Sequence, residues 1–292
     1  MRFAEIGQQL RAYRLESGLR AEEIAARLGV SRAALYRYEK GEVIKLDTIR
    51  RLAELLKISP LSLLGIGVEY FGRPAAFQER LRQVEEQADQ VLQVGGALVY
   101  PVATEAFDGA LAEAWTELAD ASQDRLLART QAEQMLGLLA ARKKLQQSRK
   151  PNIIAILGEP SIARMLAEGI APGLTLSDRS RMRCRLAARA EAEAIAEHME
   201  SVPIGLQIGL ISGSEPSGAF MVLRGRDRAH VVGSAFSPDA HPGAACGVAF
   251  ITAADEAVGT HQRVAEAAWR DALKGSEAAA RIRALIREHG PI

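Results

Sequence analysis

The chain reads as two unlike parts, an all-α bundle of five short helices over residues 1–66 and a mixed α/β domain with a largely antiparallel sheet over residues 96–292. Three observations predict this. Apolar residues recur every three or four positions through the first 65 residues, broken by Gly18, Gly29 and Gly41. Beyond Gly96, strand-like apolar runs alternate with helical stretches. The length, 292 residues, exceeds one typical core and favours two domains.

The elements follow in order. Residues 5–18 form a helix with Ile6, Leu10 and Tyr13 on one face, stopped by Gly18. A very short helix runs from Ala21 to Leu28, Gly29 supplies a turn, and Ser31 caps a third helix that reaches Lys40 before Gly41. Asp47 is expected to cap a fourth helix with Ile49, Leu52, Ala53 and Leu56 inward, and Ser59-Pro60 opens a fifth. Residues 67–95 read as a connecting segment whose helix, Pro74 to Val94, spaces Phe77, Leu81, Val84, Ala88 and Val91 as a heptad seam. That face either docks on its own C-terminal domain or pairs two copies.

The C-terminal domain is expected to hold strands at 97–101, 152–157, 203–211, 219–224, 229–236 and 246–252. Helices are expected at about 104–122, 124–147, 160–169, 177–200, 253–273 and 276–288. The stretch GSEPSG, Gly213 to Gly218, lacks the Lys-Ser/Thr of a phosphate loop and reads as a hairpin turn. No repeat or low-complexity tract is visible.

Bulk properties exclude several classes. Hydrophobic residues make up 48% and charged residues 25%, ordinary for a globular chain. No window approaches a membrane span and the start MRFAEIGQQL lacks a signal pattern, so a cytoplasmic protein is expected. Cys184 and Cys246 stand far apart without CxxC spacing and are expected as buried free thiols. The net charge is +1, but residues 1–65 carry twelve Lys and Arg against eight Asp and Glu, so the positive field lies at the N-terminus.

Two short helices around a glycine turn, in EEIAARLGVSRAALYRYEKGE, have the spacing of a helix-turn-helix, which presents its second helix to a DNA major groove. Ala25 is small where the helices cross, Gly29 takes the turn conformation freely, and Leu35 fills the gap between them. With these positions in place, residues 5–64 resemble the lambda-repressor-like, XRE-type helix-turn-helix regulators, over about a fifth of the chain.

That resemblance implies a recognition helix from Ser31 to Lys40, with Arg32, Ala33, Tyr36 and Arg37 on its outward face as base readers. Arg20, Ser31, Lys40 and Lys45 are the phosphate-contacting candidates. It also implies a structural ion pair between Arg14 and Glu39. Many relatives carry glutamine where this chain has Ala21, so a base contact there is not carried over.

The strands and helices near the C-terminus resemble the phospholipase-D-like sensor domains of some bacterial regulators, but no His-x-Lys motif occurs and hydrolysis is not expected. His230, His241, Cys246 and His261 fit no common metal spacing, and neither a catalytic group nor a cofactor is expected. In LGEPSIARM, a strand turns into a helix at Gly158 and Ser161, the first place to look for an anionic effector.

The expected function is a sequence-specific transcriptional regulator, with repression among its expected modes. It would bind double-stranded DNA as a homodimer on an inverted repeat, its C-terminal domain sensing a small-molecule effector or dimerising. An antitoxin-like protein whose C-terminal domain holds a protein partner, and an enzyme domain tethered to DNA, are the alternatives.

Overall fold

In the computed structural model, which describes residues 3–64, 67–213, 218–239, 241–243 and 246–289, residues 3–64 form five helices. They are α1 (Phe3–Ser17), α2 (Ala21–Leu28), α3 (Arg32–Glu39), α4 (Leu46–Leu56) and α5 (Pro60–Leu63). Ile6, Leu10, Tyr13, Ile24, Ala25, Leu35 and Leu52 make their shared core. The helix start at α4 differs from expectation: Lys45 is its N-cap, and Asp47 sits in the first turn, where it binds Arg50 at 3.1 Å. An acidic residue there still complements the helix dipole.

Beyond them the described residues form one eight-stranded sheet with helices on both faces. Its strands are β1 (Val68–Phe71), β2 (Ala88–Val94), β3 (Asn152–Gly158), β4 (Leu206–Ile211), β5 (Phe220–Gly225), β6 (Ala229–Gly233), β7 (Ala249–Thr252) and β8 (Leu273–Lys274). Their order is β1-β7-β6-β5-β2-β3-β4-β8. Only β2–β3 and β3–β4 are parallel, and all other pairs are antiparallel. The helices are α6 (Pro74–Gln87), α7 (Glu105–Ala121), α8 (Arg125–Arg149), α9 (Glu159–Glu168), α10 (Asp178–Ser201), α11 (Asp255–Asp271) and α12 (Gly275–Glu288).

Strand alternation sorts the two faces. Val91, Ile153, Ala155, Leu157, Leu223 and Val232 join the main core, to which α6, α7, α8, α10 and α12 contribute. Val94, Ile156 and Phe220 point the other way, against Ala265, Ala268 and Trp269 of α11.

Several expectations change here. The heptad seam is not one helix: α6 stops at Gln87, and Ala88 and Val91 belong to β2. Phe77, Leu81 and Val84 are buried in the chain's own core, so this face docks internally and is no seam between copies. The strand wins because β2 is paired on both sides, with β3 and β5, and covered on both faces, and such a strand shows no alternation to separate it from a helix. Residues 67–95 are therefore part of the sheet domain, since β1 pairs with β7.

The segment 97–101 is no strand but runs into a single 3-10 turn, Tyr100–Val102, where Pro101 withholds a ladder donor. GSEPSG does not close a hairpin, because β4 and β5 are separated by β3 and β2 in the sheet. Its residues 214–217 lie outside the described ones. Cys184 is buried, and burial pushes its thiol up to about 11. Cys246 is exposed, on an irregular stretch before β7.

The bundle rests directly on the sheet domain through α1. Glu69 of β1 is buried and takes two hydrogen bonds from buried Arg80 of α6, at 2.8 and 2.9 Å, and one from Gln9 of α1 at 3.2 Å. Arg11 reaches Glu79 at 3.4 Å. The Glu16 carboxylate accepts from the backbone amides of Gly72 and Arg73 at 2.6 and 3.0 Å, pinning the turn that leads into α6 to a different helix. Beside them Tyr13 stacks on Phe71, 5.9 Å between centroids.

Removing one partner of the buried pair strands the other. Arg80→Ala should cost about 3–5 kcal/mol in urea unfolding, while Arg80→Met with Glu69→Leu should recover most of it. His230 gives a pH signature. Burial, with Arg80 and Arg228 nearby, depresses its imidazole from 6.5 to about 4. Between those values the unfolded chain binds a proton that the folded chain does not, so stability falls as pH drops from 6.5 and levels off below about 4. His230→Gln should flatten that part of the curve by on the order of 2 kcal/mol, after allowance for partial exposure, in unfolding curves collected across the range.

Candidate nucleic-acid interface

The turn between α2 and α3 is built from backbone chemistry. Gly29 adopts φ +71°, its amide donates to Ala26, and the Val30 amide donates to Ala25 at 3.0 Å. This returns the last carbonyls of α2 to partners while reversing the chain. Ser31 then caps α3, its hydroxyl accepting from the Ala34 amide at 3.1 Å. At the start of α2, the Glu23 carboxylate reaches back to the Arg20 amide at 2.8 Å.

The far end of α3 is fastened to α1. Arg14 Nε and Nη2 donate to the two oxygens of Glu39 at 2.6 and 3.1 Å, a fork that is mostly shielded from water. Gly7 makes the close approach possible, since a Cβ there would sit 2.6 Å from the Tyr38 and Glu39 carbonyls. Nothing in the sequence marks Gly7 for this, because it lies mid-helix with no turn signal around it.

With Leu35 buried and Tyr38 packed on the bundle core, the opposite face of α3 is left to solvent. Arg32, Ala33, Tyr36 and Arg37 all lie exposed on it. Arg20, Ser31, Lys40 and Lys45 are exposed around its rim, with Lys40 at the C-cap of α3 and Lys45 at the N-cap of α4. Two exposed apolar residues not flagged in the sequence lie beside them, Val43 in the intervening loop and Leu46 at the start of α4.

Both outward arginines are held by acids. Arg32 pairs with Glu22 at 2.7 Å, donates to the Tyr36 hydroxyl at 3.3 Å and lies over that ring at 5.3 Å. Arg37 pairs with Glu42 at 3.2 Å. These pairs are exposed, so each is weak and easily exchanged, and together they preset where the guanidinium groups lie.

At the strand-to-helix turn of Gly158 and Ser161, part of the expected anion-binding character is already used within the chain. The Gly158 amide is spent on the Gly96 carbonyl at 3.0 Å, and Pro160 has no amide hydrogen. Glu159 itself stands at the helix start, salt-bridged to Arg281 and with its carboxyl lowered by that contact. The helix thus supplies its own anion. Among the described residues no cluster of three His, Cys, Asp or Glu could hold a metal, and no helix is long and apolar enough to cross a membrane.

Any DNA acceptor that met Arg32 or Arg37 would have to displace Glu22 or Glu42 from them. Glu42→Gln should therefore tighten duplex binding severalfold at low salt, and less so near physiological salt, in fluorescence anisotropy titrations.

No curated protein matches the chain. A solved structure, described as that of TrmBL2, an archaeal chromatin protein with a novel mode of DNA binding, aligns over 90% of this chain and 92% of that one. Its identity is 11% and its TM-score 0.32, below that of a shared fold. Residues 5–63 match the family described as the helix-turn-helix domain, so that this part of the chain is an XRE-type DNA-binding segment.

Proposed function

We propose that the protein is a sequence-specific transcriptional regulator that binds an inverted repeat as a homodimer and changes its grip when its C-terminal domain takes up a small-molecule effector. It is not an enzyme in this reading, and it works in the cytoplasm, with repression the simplest mode. The observation that carries the reading is the exposed face of α3, where Arg32 and Arg37 flank Tyr36 above a helix fastened to α1.

Arginine reads guanine through two hydrogen bonds to O6 and N7, so each half-site should contain at least one G·C pair. Dimerisation follows from energetics. A single head makes few base contacts, whereas two heads on one face of the duplex, about 34 Å apart, reach useful specificity. Rigid seating of the bundle on the sheet domain supports effector control, since the head cannot shift without disturbing α1 and α6.

Selection from random duplexes at near-physiological salt tests the reading. A palindromic, guanine-containing motif is expected, and no enriched motif would sink it. On the selected duplex, Arg37→Ala should cost about 1–3 kcal/mol at one base position, while Lys45→Ala should weaken all sequences equally and lower the salt slope by about one. Equal, sequence-independent losses in both variants would overturn the role of Arg37.

A further inference from the structure

A cavity of about 260 Å³ opens between the sheet and α6, roofed by the loops that follow β2 and β6. Phe77 and Leu81 of α6, Val91 of β2, Met221 of β5 and Phe236 give it apolar walls. It has the volume of about nine water molecules, room for a ligand on the order of ten non-hydrogen atoms.

Gln93, Ser234 and Ser237 also line it, but its charged groups form one cluster. Arg142 of α8 lines the cavity with its guanidinium over the Tyr100 ring at 5.6 Å. Two of its donors go to the Glu85 carboxylate at 2.8 and 2.6 Å, and a third goes to Gln78 at 2.7 Å. An arginine has five N–H donors, so two remain for an acceptor other than these residues. The charge, by contrast, is already balanced. A ligand carboxylate would meet Glu85, and a ligand ammonium would meet Arg142, each burying a charge without a counter-charge.

The cavity wall is also the seat of the reading head. Phe236 and Phe77 lie 6.0 Å apart between centroids, Phe77 and Phe71 6.3 Å, and Phe71 and Tyr13 5.9 Å. Tyr13 belongs to the core of the helix-turn-helix bundle. On α6, Gln78 faces Arg142, while the next residue, Glu79, faces Arg11 of α1.

We infer that this cavity is the effector site, that it takes a neutral, largely apolar small molecule carrying one hydrogen-bond acceptor, and that α6 passes its occupancy to the bundle. The inference deepens the proposed regulatory function and rests on it only for the last step. A ligand that displaces Phe77 or Phe236 moves a chain of packed rings whose far end is Tyr13, and packed cores switch between discrete arrangements instead of deforming smoothly.

The test uses the full chain and three probes of one size: acetophenone, a neutral ketone, benzoate and benzylammonium. Ligand-observed NMR titration should give acetophenone at least tenfold tighter binding than either ion. Val91→Phe, which fills the cavity from the sheet, should weaken acetophenone at least tenfold. If that variant fails to fold, Leu81→Ala should instead extend binding to propiophenone and larger ketones. Equal binding of the three probes, no acetophenone binding, or binding indifferent to the cavity variant that folds would overturn the site. On a duplex the protein selects, saturating acetophenone should change affinity about fivefold or more, the size of ordinary coupling. Acetophenone binding without that change would overturn the route through α6 alone, whereas failure to select any duplex would strike the regulatory reading and leave the cavity result standing.

Discussion

The buried carboxylate of Glu69 constrains the rest of the molecule. It sits on a four-residue edge strand, out of water, and an ion in that position is tolerable only with its charge balanced and its oxygens hydrogen-bonded. Arg80 supplies the charge and Gln9 a further donor, which obliges β1, α6 and α1 to meet at one point. The pair adds little net stability over an apolar replacement, because desolvation offsets most of the attraction. What it does is make alternative seatings of the bundle costly. The aromatic stack from Tyr13 to Phe77 is laid down next to it and inherits that fixed geometry.

The reading head shows a different use of charge. Here the arginines remain in water, and their partners Glu22 and Glu42 are as exposed as they are. Weak pairs at high dielectric hold side chains without committing them, so the same residues that orient Arg32 and Arg37 can release them to a stronger acceptor. One molecule thus carries buried pairs that fix the fold and exposed pairs that can be exchanged.

How much of this was legible depended on how local each signal was. The five helices, the Gly29 turn, the Ser31 cap and the outward set on α3 all follow from residues within four positions of one another. The Arg14–Glu39 contact spans the bundle and came only through likeness to a family. The run Ala88 to Val94 was misread because Phe77, Leu81 and Val84 set a helical spacing that Ala88 and Val91 happen to continue, while the partners that make it a strand, β3 and β5, come from distant sequence. β1 escaped notice for its length and for the inward glutamate that breaks its apolar pattern. The cavity was invisible for a related reason: its lining is gathered from α6, α8, four strands and two loops, none with a motif of its own. At Gly158 and Ser161 the sequence shows a strand-to-helix turn but not the distant Arg281 that pairs with Glu159 beside it.

The hold that Glu16 keeps on the turn before α6 bears on how this protein can be taken apart. The amides of Gly72 and Arg73, just before α6, are satisfied by a carboxylate belonging to the bundle, so the sheet domain does not carry every partner its own backbone requires. Exchanging the head for that of another regulator, a common way to build hybrid switches, would succeed only if the donor head brought an acid at the position of Glu16 and a ring at that of Tyr13. Modularity here ends one helix later than the sequence boundary implies, and the natural unit of exchange runs through α6.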